Sequence, residues 1–336
     1  MSRQAIFEVI VGGQNISVAL APLLISLNVS DKSGMSSDSA SIEIDDTNGA
    51  LLLPTVREPV TIKLGWEGEG IGTVFDGTVD EVRARGSRSG RTITVTARSI
   101  DTRSEVKRAQ RRHFDDATIE EAMQAAGKTA GVEVTVDPAF ASIKRPYMAL
   151  DDESFLAFGE RMAHELGGTF KVVGARAVLA KRNGGVNPAG QALPVVTAAW
   201  GQNLHSYDLT PSKGRAVEKE TATRWYDPKA AEWKVQKAET GTEGGMTTKT
   251  GRYSEADQDG AKHKAAADAA ESDRRSGGGS VTIEGNIGAQ PEGECMVSGC
   301  RPGVDGTYRI DGVIPRCIDH DLCAHSRSPM DIIFQG

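Results

Sequence analysis

The stretch Ser39–Ala40–Ser41–Ile42–Glu43–Ile44–Asp45 returns near the far end of the chain as Ser280–Val281–Thr282–Ile283–Glu284–Gly285–Asn286. Downstream of the first, Gly72–Thr73–Val74–Phe75–Asp76–Gly77–Thr78–Val79 is echoed by Gly306–Thr307–Tyr308–Arg309–Ile310–Asp311–Gly312–Val313. The Ser39 segment alternates small or polar with apolar residues, the period of a strand that buries one face. Each match alone is ordinary strand and turn wording. Two matches in the same order and at similar spacing predict one β domain present twice.

Working outward, residues 6–11, 60–64, 73–82 and 92–97 read as further short strands. Asp45–Asp46–Thr47–Asn48–Gly49 reads as a turn, and residues 85–90 as a polar tip. This is the pattern of a sandwich or barrel. Near residue 103 the period changes. Thr118 with Glu121 fits a capping box ahead of a helical stripe of Ile119, Ala122, Met123 and Ala126. A strand follows at 132–136, then a second helix from Asp152 to Gly167, then a hairpin at 169–181. From 191 the β character returns, with a hairpin around Asp227–Pro228, a polar loop at 240–250 and an Ala-rich helix boxed by Ser254 and Asp257. The expected fold is mainly β with an α+β insert. Residues 1–103 form one barrel, 104–190 the insert, and 191–336 a second barrel carrying the Ala-rich helix at 254–276.

Composition narrows the function. The 336 residues carry 39 basic and 46 acidic side chains, a net charge of -7. An acidic chain lacks the basic surface that sequence-tolerant nucleic-acid binding requires, which does not exclude a protein that lets DNA pass without sticking. No apolar run approaches the length of a spanning helix, and no secretory signal is read at the N-terminus. We expect a soluble protein made in a cytoplasm.

Few constellations invite chemistry. Cys295, Cys300, Cys317 and Cys323 all lie near the end of the chain, with His320 and His325 between and beyond the last pair. The spacing is loose for zinc. Disulfides, formed after release from a reducing cytoplasm, and plain apolar thiols both stay open. Asp45–Asp46 and Asp151–Asp152 are adjacent carboxylates, but neighbours on a strand point to opposite faces, so a turn and a helix cap respectively are expected rather than a glycosidase pair. There is no G-x-S-x-G elbow and no H-E-x-x-H helix. His164 reads as a surface residue, and Arg108, Arg111 and Arg112 as a solvated loop. No catalytic, metal or cofactor residue is assigned.

One ordered set of features carries a resemblance over nearly the whole chain. It comprises Gly12–Gly13, Leu20–Ala21–Pro22–Leu23–Leu24, the Ile42–Glu43–Ile44–Asp45–Asp46 strand end, Phe75–Asp76–Gly77–Thr78–Val79–Asp80–Glu81–Val82, the helix and hairpin after Glu153, and Trp225–Tyr226–Asp227–Pro228. This set resembles the phage late control gene D proteins, the baseplate hubs of contractile tails. The resemblance implies a non-enzymatic homotrimer. Two tail-tube-like barrels per chain would make a ring of six, with a hexameric tail tube on one side and a trimeric central spike on the other. Wedge proteins and the tape measure protein are the remaining implied partners, with DNA leaving through the lumen. It implies a location in the virion baseplate after assembly in the host cytoplasm. The cysteine cluster departs from the pattern. So does the lack of a long C-terminal needle repeat, which makes a separate spike protein the expectation. The alternatives are a tail-associated peptidoglycan hydrolase and a glycan-binding adhesin.

Overall fold

In the first half, side chains on alternate positions of six strands meet in one core, and this one-sided burial sets the register. The structure, a computed structural model, describes residues 5–33, 38–88, 90–99, 105–182, 192–211, 218–241, 245–275, 277–318 and 329–334. The elements of this half are β1 (Ala5–Val11), β2 (Gln14–Asn15), α1 (Ser17–Leu20), β3 (Leu24–Lys32), β4 (Ser39–Asp45), β5 (Pro59–Trp66), β6 (Gly70–Ser87) and β7 (Gly90–Arg98). Leu27 and Val29, Ala40 and Ile42, and Val60 and Ile62 are among the buried pairs.

The middle segment follows as β8 (Ala109–Thr118), α2 (Ile119–Thr129), β9 (Glu133–Val136), α3 (Pro138–Ala141), β10 (Lys144–Ser154), α4 (Phe155–Leu166), β11 (Gly168–Val173) and β12 (Arg176–Lys181). The apolar faces of α2 and α4 enclose a separate core with Phe155, Phe158 and Phe170 at its centre. The expected capping box is present: Thr118 Oγ1 accepts from Glu121 N, and the Glu121 carboxylate accepts from Thr118 N. Gly167, at φ 67°, ends α4 in the left-handed conformation that a residue without Cβ adopts freely.

The last part holds β13 (Val196–Ala199), β14 (Leu204–Thr210), β15 (Glu218–Asp227), β16 (Glu232–Glu239), β17 (Thr247–Thr250), α5 (Gln258–Arg274), β18 (Gly278–Glu284), β19 (Glu294–Ser298), β20 (Gly306–Ile318) and β21 (Pro329–Phe334). Val281, Ile283, Val297 and Ile332 belong to a third core. The small residues of α5 are buried, among them Ala261, Ala265 and Ala269. They let the helix pack against the β15–β16 sheet, where Thr221 Oγ1 donates to Ala265 O at 2.6 Å.

The two β halves repeat one topology. The first runs β3-β4-β7-β6-β5-β1 across the sheet and the second β14-β18-β21-β20-β19-β13. Ranked along the chain within each half, both orders read second, third, sixth, fifth, fourth, first. The irregularities repeat too. Val79 pairs Ala97 and Ile310 pairs Phe334; each ladder then skips one aspartate, Asp80 or Asp311, and resumes at Glu81–Thr96 or Gly312–Ile333. A second bulge follows Leu24 on β3 and Leu204 on β14. Shared bulges are specific, because each breaks the ladder at one residue. The halves differ at one edge: β1 is antiparallel to β5, whereas β13 is parallel to β19. β15, β16, β17 and α5 are inserted between the counterparts of β3 and β4.

Several local expectations are corrected. Register makes Ile44, not Ile42, the counterpart of Ile283, and Asp80, not Asp76, that of Asp311. Both slips are an even number of residues, which preserves the buried face and leaves hydrophobic alternation blind to them. Ser154, not Asp151–Asp152, caps α4; Asp152 sits at φ 51° beside a bulge in β10. Asp257 caps α5 without Ser254. Residues 247–250 are a strand rather than loop, paired in parallel with β15, and Arg111 and Arg112 lie on β8. Residues 183–190, the end of the expected insert, lie outside the described residues.

Candidate assembly surfaces

The halves meet edge to edge. β20 pairs antiparallel with β3, placing Val313 opposite Asp31, Arg316 opposite Asn28 and Cys317 opposite Leu27. This joint makes the sheet continuous through thirteen strands. At its end, Ser33 Oγ donates to Asp311 Oδ1 at 2.8 Å and Ser33 N to Asp311 O at 2.7 Å. The bulge aspartate of the second half thus fastens the first. Trp66 Nε1 donates to Gly285 O at 2.9 Å, a second tie between the halves.

The middle segment is fixed to the same joint by charge. Lys171 Nζ on β11 lies 2.6 Å from Asp31 Oδ1 and 2.9 Å from Asp38 Oδ2. Burial and then the neighbouring Asp31 charge push the Asp38 carboxyl up to about 7, against the pull of Lys171. Burial opposes the charge on Lys171, but Asp31 and Asp38 outweigh it and its pKa is raised. Asp38 therefore favours the folded state while protonated, and that contribution is lost as pH rises from its unfolded value through about 7. In Asp38→Asn the loss is absent, so the free energy of opening at β3 and β11, read by hydrogen exchange, should climb relative to wild type by at least about 1 kcal/mol between pH 4 and pH 8. A difference that stays flat across that range contradicts this.

The sequence candidates for chemistry do not converge. Asp45 accepts from Thr47 N and Oγ1, which lowers its pKa, and Asp46 accepts from Leu51 N; the pair works as the expected turn. Asp151 and Asp152 are both held by Arg111 on the exposed face of β8. Arg112 donates to Ala125 O and Thr129 Oγ1, fastening β8 to α2. His164 is exposed and lies near Asp268 and Glu271, with ligand atoms within 4.8 Å of one another. The Lys264 ammonium already fills that cluster, 2.8 Å from His164 Nδ1 and 3.2 Å from Asp268 Oδ1. Burial and then Lys264 hold His164 below its ordinary pKa.

Cys295 and Cys300 carry free thiols. Cys295 occupies the register position of Val60 in the first half, and burial pushes its thiol up to about 12. It packs as a small apolar residue. The side chain of Cys317, and Cys323 with His320 and His325, lie outside the described residues.

What stands out instead is surface. Trp233, Tyr226 and Val235 are exposed on the β15–β16 hairpin, with Trp233 63% accessible. Val18 on α1 and Leu52 between β4 and β5 project almost fully from the first half, and Trp200 packs edge-on to Tyr207 beside β14. Sequence reading missed these groups, because alternation names the buried face and not what an exposed aromatic on the other face meets.

No family model matches the chain. Two curated phage proteins do, each named "Probable baseplate hub protein": one from Escherichia phage 186, 29% identical over 191 residues, and one from Escherichia phage P2, 28% identical over the same length. The chain is similar to phage baseplate hub proteins. The match covers 57% of this chain, and the chain spans about half the length of the curated relatives it matches. The solved tail protein from Neisseria meningitidis MC58 shares the fold, with a TM-score of 0.70 over 99% of this chain and 97% of that one, at 15% identity. The mainly β fold expected from the hub resemblance is therefore the fold found. No described helix is long and apolar enough to cross a membrane.

Proposed function

We propose that the chain is a structural baseplate hub of a contractile phage tail, acting as a homotrimer. The duplicated six-strand topology carries this reading. A closed ring needs repeated, mutually complementary surfaces, and a chain with two copies of one β unit gives six units from three chains. Such a ring would match a hexameric tail tube on one face and a trimeric central spike on the other. We assign the ring units to residues 1–103 and 191–336, with 104–190 as the segment between them and wedge proteins as further partners of the hub. The tape measure protein and then DNA would leave through the lumen. Three chains would carry three times the net charge of -7, a field that repels passing DNA. The role is geometric, with no bond made or broken. It places the protein in the virion baseplate after assembly in the host cytoplasm.

Antibody labelling of purified tails in the electron microscope tests this. Label should fall at the spike-proximal end of the tube, and purified protein should leave peptidoglycan turbidity unchanged. Label along the tube or on fibres contradicts the hub, and lysis would favour a tail-associated hydrolase.

A further inference from the structure

We infer that β14 of one copy adds edge-on to the C-terminal half of β6 in a second copy, repeating between chains the β3–β20 joint formed within one chain. This deepens the hub proposal and takes its copy number from it.

The inference comes from register. The shared bulges make β14 the counterpart of β3, and β6 the counterpart of β20. Within the chain, β3 and β20 pair with one another. The remaining two counterparts have open edges. Among the described residues β14 pairs with β18 alone apart from a single bridge from Leu204 to Trp200, and β6 pairs with β7 alone beyond Val79, whose backbone still bonds to Arg57 and Glu58. Open strand edges present unpaired backbone groups that invite another strand. The exposure pattern agrees. Leu27 and Pro315, inside the joint, are buried, whereas their counterparts Tyr207 and Ala84 are exposed.

Carrying the register across fixes the partners. Arg316 faces Asn28 in the chain, and the counterparts of this pair are Arg85 and Asp208. The joint between chains would therefore set an arginine opposite an aspartate, both now exposed. The next pair sets Gly86, which has no side chain, opposite Tyr207, leaving room for the larger ring. Like charges at that cross-strand position would oppose pairing, and opposite charges favour it. The contact is head-to-tail, using different surfaces on each copy, which is the kind that builds rings.

The test is cross-linking of the full chain. Opposed strand residues have Cα atoms about 4.5–5.5 Å apart, within disulfide reach. Arg85→Cys with Asp208→Cys, mildly oxidised, should give a non-reducing ladder that ends at three times 35.7 kDa and is absent from either single variant. Asp208→Arg should abolish the wild-type oligomer in native mass spectrometry, and adding Arg85→Asp should restore it. An oligomer that resists Asp208→Arg and shows no cross-link overturns this edge pairing while the hub proposal stands. A wild-type chain that stays monomeric with no cross-link overturns self-pairing altogether. A link formed only within single chains overturns it too.

Discussion

Phe155→Ala should lower stability of the middle segment by about 3–5 kcal/mol, the range for emptying a large aromatic from a core. Phe155 is fully buried in the first turn of α4, and its ring meets Phe170 on β11 edge-on, with centroids 5.5 Å apart at 82°. Across the core the ring closes on α2, where a Cβ built on Gly127 would lie 3.3 Å from Phe155 Cζ. Three elements thus lean on one ring, and none can move in without breaking its own ladder or cap. The chain has separate cores, so a single global transition is not assumed. Hydrogen exchange followed over residues 119–181 reads the change locally. Opening there should become easier by roughly the amount given, with β14 and β18 unaffected. A change under about 1 kcal/mol would show that this core relaxes around the missing ring.

The second large effect is expected at Lys171. Removing one partner of a buried ionic group typically loses about 3–5 kcal/mol, because the charge left behind is uncompensated. Lys171 keeps 27% of its side-chain exposure, so about 2–4 kcal/mol is the expectation for Lys171→Met at pH 8. The variant leaves Asp31 and Asp38 facing each other without a cation. The loss should shrink towards pH 5, where Asp38, already raised to about 7, takes up a proton. Adding Asp38→Asn should recover part of it, since the two residues share one network. Exchange at β3 and β11 measures all three proteins. A loss equal at pH 5 and pH 8 would show that Lys171 acts through packing of its stem and not through charge.

What could be read from the sequence divides by distance along the chain. Thr118 and Glu121 are three residues apart, and the box they form is set by helix geometry alone. The Asp227–Pro228 turn is likewise local, with strands matching from Thr221–Ala238 to Asp227–Glu232. The duplication was legible because strand alternation was repeated in order. Its register was not, because a two-residue slip buries the same face. The cap of α4 was misplaced because Asp151, Asp152 and Ser154 are all good caps, and only the bulge in β10 selects the last. The Lys171 bridge joins residues 140 apart, and the Ser33–Asp311 bond residues 278 apart. No local pattern marks such pairs. The same limit hid the open edges of β14 and β6, which emerge only once the closed joint of β3 and β20 is seen.

The proposed hub has three duplicated chains forming one ring between tube and spike. Electron cryomicroscopy of intact tails, reconstructed without imposed symmetry, tests it most directly. The density holding this chain should show three copies around the tail axis, with six similar β lobes lining the lumen. Six copies of the chain in that layer, or a single copy off the axis, would contradict it.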